Sequence, residues 1–392
     1  MTANDKKLKI YLVAGEPSGD LLGSRLMRAM KAKLADKVEF YGVGGDTMEE
    51  EGLLSLFDIT DLSVMGIIEV IPSIPKVLRH IKEVVSDIKE KQPDVLITID
   101  SWSFSSRVHK AVRKQNIKLP QLHYVAPQVW AWKKKRAKTM HKYIDCLMTL
   151  LAQEPKYFTP YNLQAYFVGH PVIESDVAKV DGAGFRKKYG ISPEKRIISL
   201  LPGSRKNEVA RLLPIFIGTA KMMAKKDRNF YFVLPTVSTV ENNVKKMMQK
   251  SGLDYVVIDN EQDRYQAFHV SEAAIAASGT VALELAIAKV PHIIAYRVAP
   301  LTAWLAKHLL HIQFVNLSNI LLGREIVPEL LQERCDSVNI ENHILSLIKK
   351  GALYEKQQSG FKKVCHILGM GERTPSENAC EVILKQIEAY KK

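Results

Sequence analysis

Residues 276–286 read Ala276-Ala277-Ser278-Gly279-Thr280-Val281-Ala282-Leu283-Glu284-Leu285-Ala286, and this stretch decides the fold class. The apolar run 272–276 that leads into it is long enough for a buried parallel strand. Ser278-Gly279-Thr280 then predicts a tight turn with a hydroxyl N-cap, and the apolar spacing that follows predicts a helix ending before Pro291. A buried strand followed directly by a turn and a helix is typical of an α/β protein.

The same stretch carries polar groups that suit a binding site. A helix that begins on small residues at the carboxyl end of a strand points free N–H groups at an anion. Glu284 lies about one turn inside the predicted helix, where its carboxylate can accept hydrogen bonds from the hydroxyls of a sugar. An ordinary strand, turn and helix with a surface glutamate is the alternative that this stretch leaves open.

A second transition of the same kind lies upstream. Residues 197–201 are another apolar run, which ends in Pro202-Gly203-Ser204-Arg205 before residues 207–209 open a helix. Two such turns, one of them with an arginine, suggest a split site for a diphosphate. The Pro-Gly-Ser-Arg sequence by itself also fits a plain turn.

Length and composition set the class of protein. A chain of 392 residues with 46% hydrophobic and 25% charged residues is expected to fold into two globular domains. No run of about 18 uncharged apolar residues predicts a membrane span, and residues 10–14 are too short for a signal-peptide core. We therefore expect a cytosolic protein. The formal net charge of +14 favours an anionic partner, which could be nucleic acid, acidic lipid or a phosphorylated substrate.

Metal and disulfide chemistry is not indicated. The four cysteines (Cys146, Cys335, Cys365 and Cys380) have no paired spacing, so we expect reduced, structural thiols. His308 and His311 share one predicted helix, but no further ligand clusters near them. The sequence therefore predicts neither a metal site nor a cofactor.

The first half of the chain places carboxylates after two predicted strands. Residues 8–14 form a strand that leads into Gly15-Glu16-Pro17-Ser18-Gly19-Asp20, and a helix follows. Residues 94–100 form the clearest strand of this half, and Asp100 ends it. Charged residues at the carboxyl ends of strands favour a site in an α/β sheet. Asp100 could serve as a general base or cap the next helix, and Ser18 could be a plain helix cap.

Two glycine motifs are absent or incomplete. Gly42-Val43-Gly44-Gly45 follows a strand at 38–43, but Thr47 stands where a dinucleotide fingerprint needs its third glycine. No sequence in the chain matches a P-loop. We therefore expect neither of these nucleotide-binding modes.

Two segments suggest a lipid surface. Residues 63–75 are apolar but contain two prolines and a glycine, which a buried helix would not normally tolerate, and a basic amphipathic flank follows at 76–82. Residues 130–136 combine tryptophans with a run of lysine and arginine, which suits either nucleic acid or an interfacial belt over anionic headgroups. A core segment under a lid is the alternative for 63–75. The candidate membrane or acyl-chain contacts are Val64, Met65, Ile67, Ile68, Ile71, Trp130 and Trp132.

The order of predicted elements gives the domain organisation. Residues 167–171 close a first set of strands and helices, 174–184 form a linker, and the alternation restarts at Arg196. We expect an N-terminal domain over 1–175, a C-terminal domain over 176–375, and a last helix at about 376–392 that packs back on the first domain. These are two Rossmann-like α/β domains facing across a cleft, where ligands collect.

The assembled motifs resemble the lipid-A-disaccharide synthase family, which is a family of two-Rossmann (GT-B) glycosyltransferases. The resemblance covers about residues 10–388 and rests on the order and spacing of six motifs. These are VAGEPSGD (13–20), SVMGI (63–67), HYVAPQVWAW (123–132), LPGSR (201–205), ASGT (277–280) and NILLGRE (319–325).

The resemblance implies a reaction. UDP-2,3-diacylglucosamine would donate its sugar to 2,3-diacylglucosamine 1-phosphate with inversion, giving a β-1,6-linked disaccharide and UDP. It also implies no metal for transfer, no cofactor, no nucleic-acid partner, and a cytoplasmic enzyme held peripherally on the anionic surface of the inner membrane. Without a metal ion, a diphosphate leaving group needs a helix N-terminus and arginine. A homodimer is compatible with the resemblance.

The resemblance also implies roles for individual residues. Asp100 would be the general base that takes the proton of the acceptor 6-hydroxyl, with Glu16 as its rival. The donor would be bound through UDP by Ser204, Arg205, Ser278, Gly279, Thr280 and Glu284, the last of these at the ribose. The remaining substrate contacts would be Ser18, Asn319, Arg324 and Glu325, although Arg324 could also be an ion-pair partner. The chain departs from the family after Asp100, where Ser101-Trp102-Ser103-Phe104-Ser105 offers no second carboxylate and no asparagine.

Two other classes of protein share part of this pattern. UDP-sugar 2-epimerases have the same two-domain plan but no use for the apolar segment 63–75. A basic nucleic-acid-binding protein would explain the charge but not Glu16, Asp100 and Glu284 at the ends of strands and helices.

Overall fold

A computed structural model describes residues 7–62, 67–130, 134–299, 303, 313–371 and 373–392; the side chains of residues 67–74 and 134 lie outside this description. The chain divides into two compact units. Unit 1 comprises Met1–Pro171 together with Glu372–Lys392, and unit 2 comprises Val172–Gly371.

Unit 1 is built on a parallel sheet. Its strands are β1 (Leu8–Ala14), β2 (Val38–Val43), β3 (Val95–Ile99), β4 (Gln121–Tyr124), β5 (Cys146–Thr149) and β6 (Gln164–Phe167). Its first helices are α1 (Pro17–Leu34), α2 (Asp46–Glu50), α3 (Ile67–Lys91), α4 (Trp102–Lys114) and α5 (Ala137–Met140). In the described part of the chain the strand order is β2-β1-β3-β4-β5-β6. All five residues of β3 are buried, as expected for an apolar run covered by helices on both faces.

Unit 2 has a second parallel sheet. Its strands are β7 (Arg196–Leu201), β8 (Phe230–Pro235), β9 (Tyr255–Ile258), β10 (Ala273–Ala276), β11 (His292–Tyr296) and β12 (Glu329–Leu331). Its described helices are α6 (Phe185–Lys188), α7 (Lys206–Lys226), α8 (Ser238–Gln249), α9 (Glu261–Val270), α10 (Val281–Ile287), α11 (Leu317–Leu322), α12 (Ser337–Ile348) and α13 (Ala352–Ile367). The described strands follow the order β12-β11-β10-β7-β8-β9. Apolar residues from β7, β8, β10 and α7 form the largest part of the core on one face of this sheet.

A last helix, α14 (Pro375–Lys391), completes unit 1 after the chain has passed through unit 2. Thr374 and Glu377 form a capping box at its start, and Pro375 occupies the first turn, where a missing N–H costs nothing. Cys380 and Ile383 of α14 are buried in the same cluster as Leu26 of α1. Burial of this apolar face fixes α14 against the sheet of unit 1.

The boundary between the units lies earlier than residues 175 and 176. Val172 and Val177 are buried in a cluster of unit 2 that also contains Leu283. The short segment after Pro171 therefore belongs to unit 2, because its apolar side chains pack there.

Helix α3 runs through Pro72 and Pro75, two residues that a buried helix would not normally tolerate. Each proline removes one backbone hydrogen bond, but the C-terminal half of α3 packs firmly on unit 1 through Ile81, Val84 and other apolar residues. This packing compensates for the lost bonds. Among the described residues, no helix has the length and apolar content that crossing a bilayer requires.

Candidate active site

The first candidate site lies where the sheet of unit 1 reverses its strand order. Strand β2 lies on one side of β1 and β3 on the other, so the chain changes direction between β1 and β3. Ala14 pairs with Ile99, so the loops after β1 and β3 leave the same edge of the sheet side by side. Open α/β sheets bind ligands outside the carboxyl ends of their strands at such a switch point.

Two crossed hydrogen bonds join these loops. The Ser18 hydroxyl lies 3.3 Å from Asp100 Oδ2, and the Ser101 hydroxyl donates a 2.6 Å hydrogen bond to Glu16 Oε1. Each serine binds the carboxylate of the other loop. The two carboxylates that the sequence offered as rival bases therefore belong to one site.

The backbone at these strand ends adopts strained conformations. Asp100 and Ser101 have φ of 55° and 42°, and Val125 at the end of β4 has φ of 82°. A non-glycine residue in this region costs roughly 1–3 kcal/mol, and a β-branched residue such as Val125 is a rarer case still. The Asp100 N–H donates to the Tyr124 carbonyl over 2.9 Å, which helps to impose this path. Such strain concentrates at functional sites.

The carboxyl group of Asp100 is half-buried and electrostatically perturbed. Burial raises the pKa of Asp100 above its ordinary value, and the nearby Glu16 carboxylate raises this pKa further, while hydrogen bonds from the Ser101 N–H and the Ser18 hydroxyl lower it. The N-cap position of α4 is occupied by Ser101, and the Asp100 carboxylate accepts the N–H of Ser101 over 2.8 Å. Asp100 thus holds the turn but is not the N-cap residue of α4.

The departure from the family pattern after Asp100 has structural consequences. Ser105 donates its hydroxyl to the Asp100 carbonyl over 2.8 Å, so a serine fixes the backbone that carries the carboxylate. The Trp102 ring packs on His123, with 4.7 Å between the ring centroids. His123 and His109 both bond the Thr98 hydroxyl, and burial lowers the pKa of both imidazoles, so they are neutral.

Asp20, the last residue of the first motif, has a role that the sequence did not reveal. Its carboxylate accepts hydrogen bonds from the N–H groups of Gly45, Thr47 and Met48 and from the Thr47 hydroxyl. Asp20 is buried and accepts hydrogen bonds from the first turn of α2, whose N-cap residue is Gly45. The N–H of Gly45, at the end of the glycine-rich turn 42–45, therefore binds a side chain of the protein and not a nucleotide.

The candidate membrane contacts are placed only in part. Trp130 is half-buried, and its indole N–H donates to Glu154 over 3.2 Å. Val64, Met65 and Trp132 lie outside the described residues, as do the side chains of Ile67, Ile68 and Ile71.

The second candidate site is a cavity of about 400 Å³ within unit 2. It opens at the switch point of this sheet, where β7 and β10 are neighbours and β8 lies on the far side of β7. The residues predicted to bind UDP all line this cavity; they are Ser204, Arg205, Ser278, Gly279, Thr280 and Glu284.

The two turns beside the cavity need glycine. Gly203 has φ of 106°, and a Cβ added to it would lie 2.5 Å from the Glu208 carboxylate. Gly279 has φ of 155° with open space around it. Glu208 accepts hydrogen bonds from the Arg205 guanidinium over 3.2 Å and from the Tyr296 hydroxyl over 3.0 Å. Arg205 remains largely exposed and available to a ligand.

One detail of the second turn differs from expectation. Thr280 occupies the N-cap position of α10, but its φ of −59° is helical and its hydroxyl makes no capping hydrogen bond. The prediction of a hydroxyl N-cap was therefore wrong, because a hydroxyl cap needs an extended N-cap backbone. The Ser278 hydroxyl bonds the Val315 carbonyl over 3.1 Å.

Glu284 has a partner that the sequence did not suggest. Arg264 of α9 also lines the cavity, and its Nη2 lies 3.3 Å from Glu284 Oε1. Burial raises the pKa of Glu284, and the Arg264 guanidinium counteracts this rise. Thr236, which directly follows β8, lines the cavity as well. Ser204 was predicted because it follows an apolar strand, and the same reasoning would have found Thr236. Nothing in the spacing of residues on α9 points to Arg264.

Asn319 does not fit its predicted contact with substrate. It is fully buried, and its amide makes four internal hydrogen bonds, from the N–H groups of Ile326 and Val327 and to Val327 O and Glu329 Oε1. An asparagine amide has two donors and two acceptor sites, so no capacity is left for a ligand. Asn319 instead fixes the loop that carries Arg324 and Glu325, and both of these side chains are exposed.

Solved structures with the same architecture identify the class. The chain is similar to a UDP-GlcNAc 2-epimerase from Neisseria meningitidis bound to UDP-GlcNAc, with a TM-score of 0.64 and 13% identity over 97% of this chain and 100% of that one. It is also similar to MurG from Acinetobacter baumannii, with a TM-score of 0.58 and 12% identity over 96% and 99% of the two chains. The fold is thus α/β of the GT-B type, which glycosyltransferases and epimerases share.

Sequence relatives identify the family within this class. The profile of the lipid-A-disaccharide synthetase family matches residues 10–383, and the chain belongs to that family. The lipid-A-disaccharide synthase of Paramagnetospirillum magneticum is 43% identical over 97% of this chain and 98% of its own length. The synthase of Rhodospirillum centenum is 41% identical over 97% and 95% of the two chains. The chain is therefore a hexosyltransferase of lipid A biosynthesis, and the epimerase and nucleic-acid-binding alternatives are set aside.

Proposed function

We propose that the enzyme transfers the sugar of UDP-2,3-diacylglucosamine to the 6-hydroxyl of 2,3-diacylglucosamine 1-phosphate with inversion. The bond between the anomeric carbon and the diphosphate oxygen breaks, and a new bond joins that carbon to O6 of the acceptor. The products are the β-1,6-linked disaccharide 1-phosphate and UDP. The observation that carries the proposal is the unit 2 cavity, because one strand-end cavity gathers all the side chains predicted to bind the donor.

Unit 2 holds the donor in this proposal. Arg205 has a largely exposed guanidinium beside the 203–205 turn, and it balances the negative charge that develops on the departing diphosphate. Ser204, Ser278, Gly279 and Thr280 supply small side chains and backbone groups around the same phosphates. Glu284 accepts hydrogen bonds from the ribose hydroxyls, which are donors that a carboxylate suits.

Unit 1 holds the acceptor. Asp100 takes the proton of the 6-hydroxyl, because its half-buried carboxylate has a raised pKa and is a stronger base once ionised. Glu16 is the second carboxylate of this site, exposed at the start of α1. The hydrogen bond between Ser18 and Asp100 makes Ser18 a neighbour of the reacting hydroxyl.

We propose further that the enzyme works at the anionic cytoplasmic surface of the inner membrane, where both lipid substrates reside. On α3, Leu78 is 51% exposed and lies between the exposed cations Lys76 and Arg79. An apolar side chain flanked by cations suits a membrane interface. The apolar segment 63–75 directly precedes this surface, and the net charge of +14 favours anionic headgroups.

The test is a reaction of the purified protein with both lipids in mixed micelles. Mass spectrometry should find one disaccharide 1-phosphate for each UDP released, and the proton coupling of the new anomeric centre should report a β linkage. Release of UDP without a disaccharide, or conversion of the donor to its 2-epimer, would contradict the proposal. An α linkage would contradict inversion alone.

A further inference from the structure

Three polar atoms around the unit 2 cavity are buried without a partner. They are Thr236 Oγ1, Arg264 Nε and Glu284 Oε2, and none of them has a hydrogen-bond partner among the described residues. Thr236 is only 8% exposed. Buried polar groups in folded proteins are nearly always paired, so three in one cavity indicate a ligand that completes them.

Arg264 is held in place by several contacts, and it in turn fixes the position of Glu284. Its Nη2 lies 3.2 Å from Glu261 Oε1 and 3.3 Å from the Tyr265 hydroxyl, and its guanidinium carbon lies 5.0 Å from the centre of the Tyr265 ring. The same Nη2 binds Glu284 Oε1. One carboxylate oxygen of Glu284 is thereby fixed, and the other stays free.

The free atoms match a ribonucleoside. A ribose diol donates hydrogen bonds and needs an acceptor, which Glu284 Oε2 provides. The carbonyl oxygens of a pyrimidine base need donors, which Arg264 Nε–H and the Thr236 hydroxyl provide. Arg205 stands in the turn after β7, on a different loop from these three residues.

We infer that Arg264 holds Glu284 for the ribose of the bound nucleotide through Nη2 and donates its Nε–H to the base, and that Thr236 contacts the same nucleoside. This inference rests on the proposed function, because it takes UDP as the occupant of the cavity. It gives the unit 2 site a nucleoside end formed by Thr236, Arg264 and Glu284.

A purely structural ion pair is the alternative, and unit 2 contains a matched example. Lys226 lies 2.9 Å from Glu341, which is 2% exposed, and neither residue lines the cavity. Removing either cation leaves a buried carboxylate without its partner, which destabilises a protein wherever it occurs. Lys226→Met is therefore the control for Arg264→Met.

The experiment measures the dissociation constants of UDP and 2′-deoxy-UDP by calorimetry on the full chain. The wild type should prefer UDP. Arg264→Met and Glu284→Gln should each weaken UDP binding by roughly 10- to 100-fold and reduce the preference over 2′-deoxy-UDP. Arg264→Lys should restore part of both effects. Thr236→Val should weaken both nucleotides alike, and Lys226→Met should leave both constants unchanged.

A second readout is the pH dependence of UDP binding. Among the described residues, the groups that face Glu284 are the charged Arg264 and Glu261 and the titratable Tyr265. Loss of the Arg264 cation raises the pKa of Glu284 further. Affinity in Arg264→Met should therefore fall at a higher pH than in the wild type as the pH is lowered. Wild-type discrimination and pH dependence in Arg264→Met would overturn the inference alone. A wild type that binds no UDP would overturn the proposed function.

Discussion

Ser101 donates its hydroxyl to Glu16, a residue 85 positions earlier in the chain, over 2.6 Å. Both residues occupy the N-cap position of a helix, yet neither side chain caps its own helix. The bond instead ties the loop after β1 to the loop after β3. Together with the reciprocal contact between Ser18 and Asp100, it holds the two carboxylates in one hydrogen-bonded site, where the Glu16 carboxylate raises the pKa of Asp100.

Replacement of Asp100 by Asn should abolish most of the activity. We expect turnover to fall by about 10²- to 10⁴-fold, because the amide cannot accept the proton of the acceptor hydroxyl. UDP affinity and melting temperature should change little, since Asn keeps the shape and can still accept the N–H of Ser101. Glu16→Gln, assayed beside it, should retain more activity. The reverse ranking would make Glu16 the base, and a loss of several degrees of melting temperature in Asp100→Asn would make Asp100 structural.

Replacement of Ser18 by Ala should move the pH profile. The Ser18 hydroxyl lowers the pKa of Asp100, so its loss should raise that pKa further. Because the base must be ionised, the acid limb of kcat/KM should shift to higher pH, with less change on the alkaline side. Ser106→Ala is the control. Ser106 lies on α4, the helix that follows Asp100, and among the described residues its hydroxyl bonds only the Ser103 carbonyl of the same helix. An unshifted limb would mean that Asp100 does not control this part of the profile.

Replacement of Arg205 by Ala should weaken UDP binding and lower turnover by on the order of 10²- to 10³-fold, because a charge on the leaving diphosphate is lost. Stability should hardly change, since the pair between Arg205 and Glu208 is exposed on the arginine side. Lys206→Ala removes a neighbouring exposed cation that does not line the cavity, and it should retain wild-type kinetics. Equal kinetics in the two variants would remove Arg205 from the site.

Replacement of Asn319 by Ala should destabilise unit 2. Four buried hydrogen bonds are lost, and we expect the free energy of unfolding to fall by about 3 kcal/mol because buried groups are left unpaired. Urea denaturation measures this change, with Asn242→Ala on the exposed face of α8 as a neutral control. A variant with wild-type stability and a raised KM would show that Asn319 contacts the substrate after all.

Membrane attachment is tested by changing Val64, Ile67 and Ile68 together to Ser. The triple variant should shift from the vesicle fraction to the soluble fraction in flotation with anionic vesicles, because interfacial binding scales with buried apolar area. Val338→Ser removes a valine of unit 2 that is 55% exposed, and it should float like the wild type. If the triple variant also floats unchanged, the segment belongs to the core.

Sequence patterns predicted the strand ends that form the two candidate sites, because apolar runs mark the strands of a parallel sheet clearly. Apolar runs followed by small or charged residues gave β1, β3, β7 and β10, and the residues after them converge at the two switch points. The side-chain contacts within the candidate sites could not be predicted from these patterns. The bond from Ser101 to Glu16 depends on left-handed backbone at Asp100 and Ser101, which non-glycine residues rarely adopt.

Other contacts could not be predicted for a related reason. Arg264 reaches Glu284 across 20 positions from a different helix, and Asp20 accepts hydrogen bonds from the N–H groups of Thr47 and Met48 at the start of α2. Asn319 looked like a ligand contact in a polar motif, but its amide is consumed by its own loop. The hydrogen-bond partner of each of these side chains depends on tertiary packing. The periodicity of the sequence carries no information about that partner.

The late position of α14 sets the order in which the protein becomes complete during synthesis. Unit 2 is continuous in sequence, so its core can close while translation is still under way, whereas unit 1 needs a helix that is made only after unit 2. Until then the apolar surface that Ala379, Cys380, Ile383 and Ile387 will cover stays open to water. Nascent unit 1 therefore exposes an apolar surface while the roughly 200 residues of unit 2 are translated. At typical translation rates this takes roughly 10–40 s. During this interval it is a natural client for chaperones.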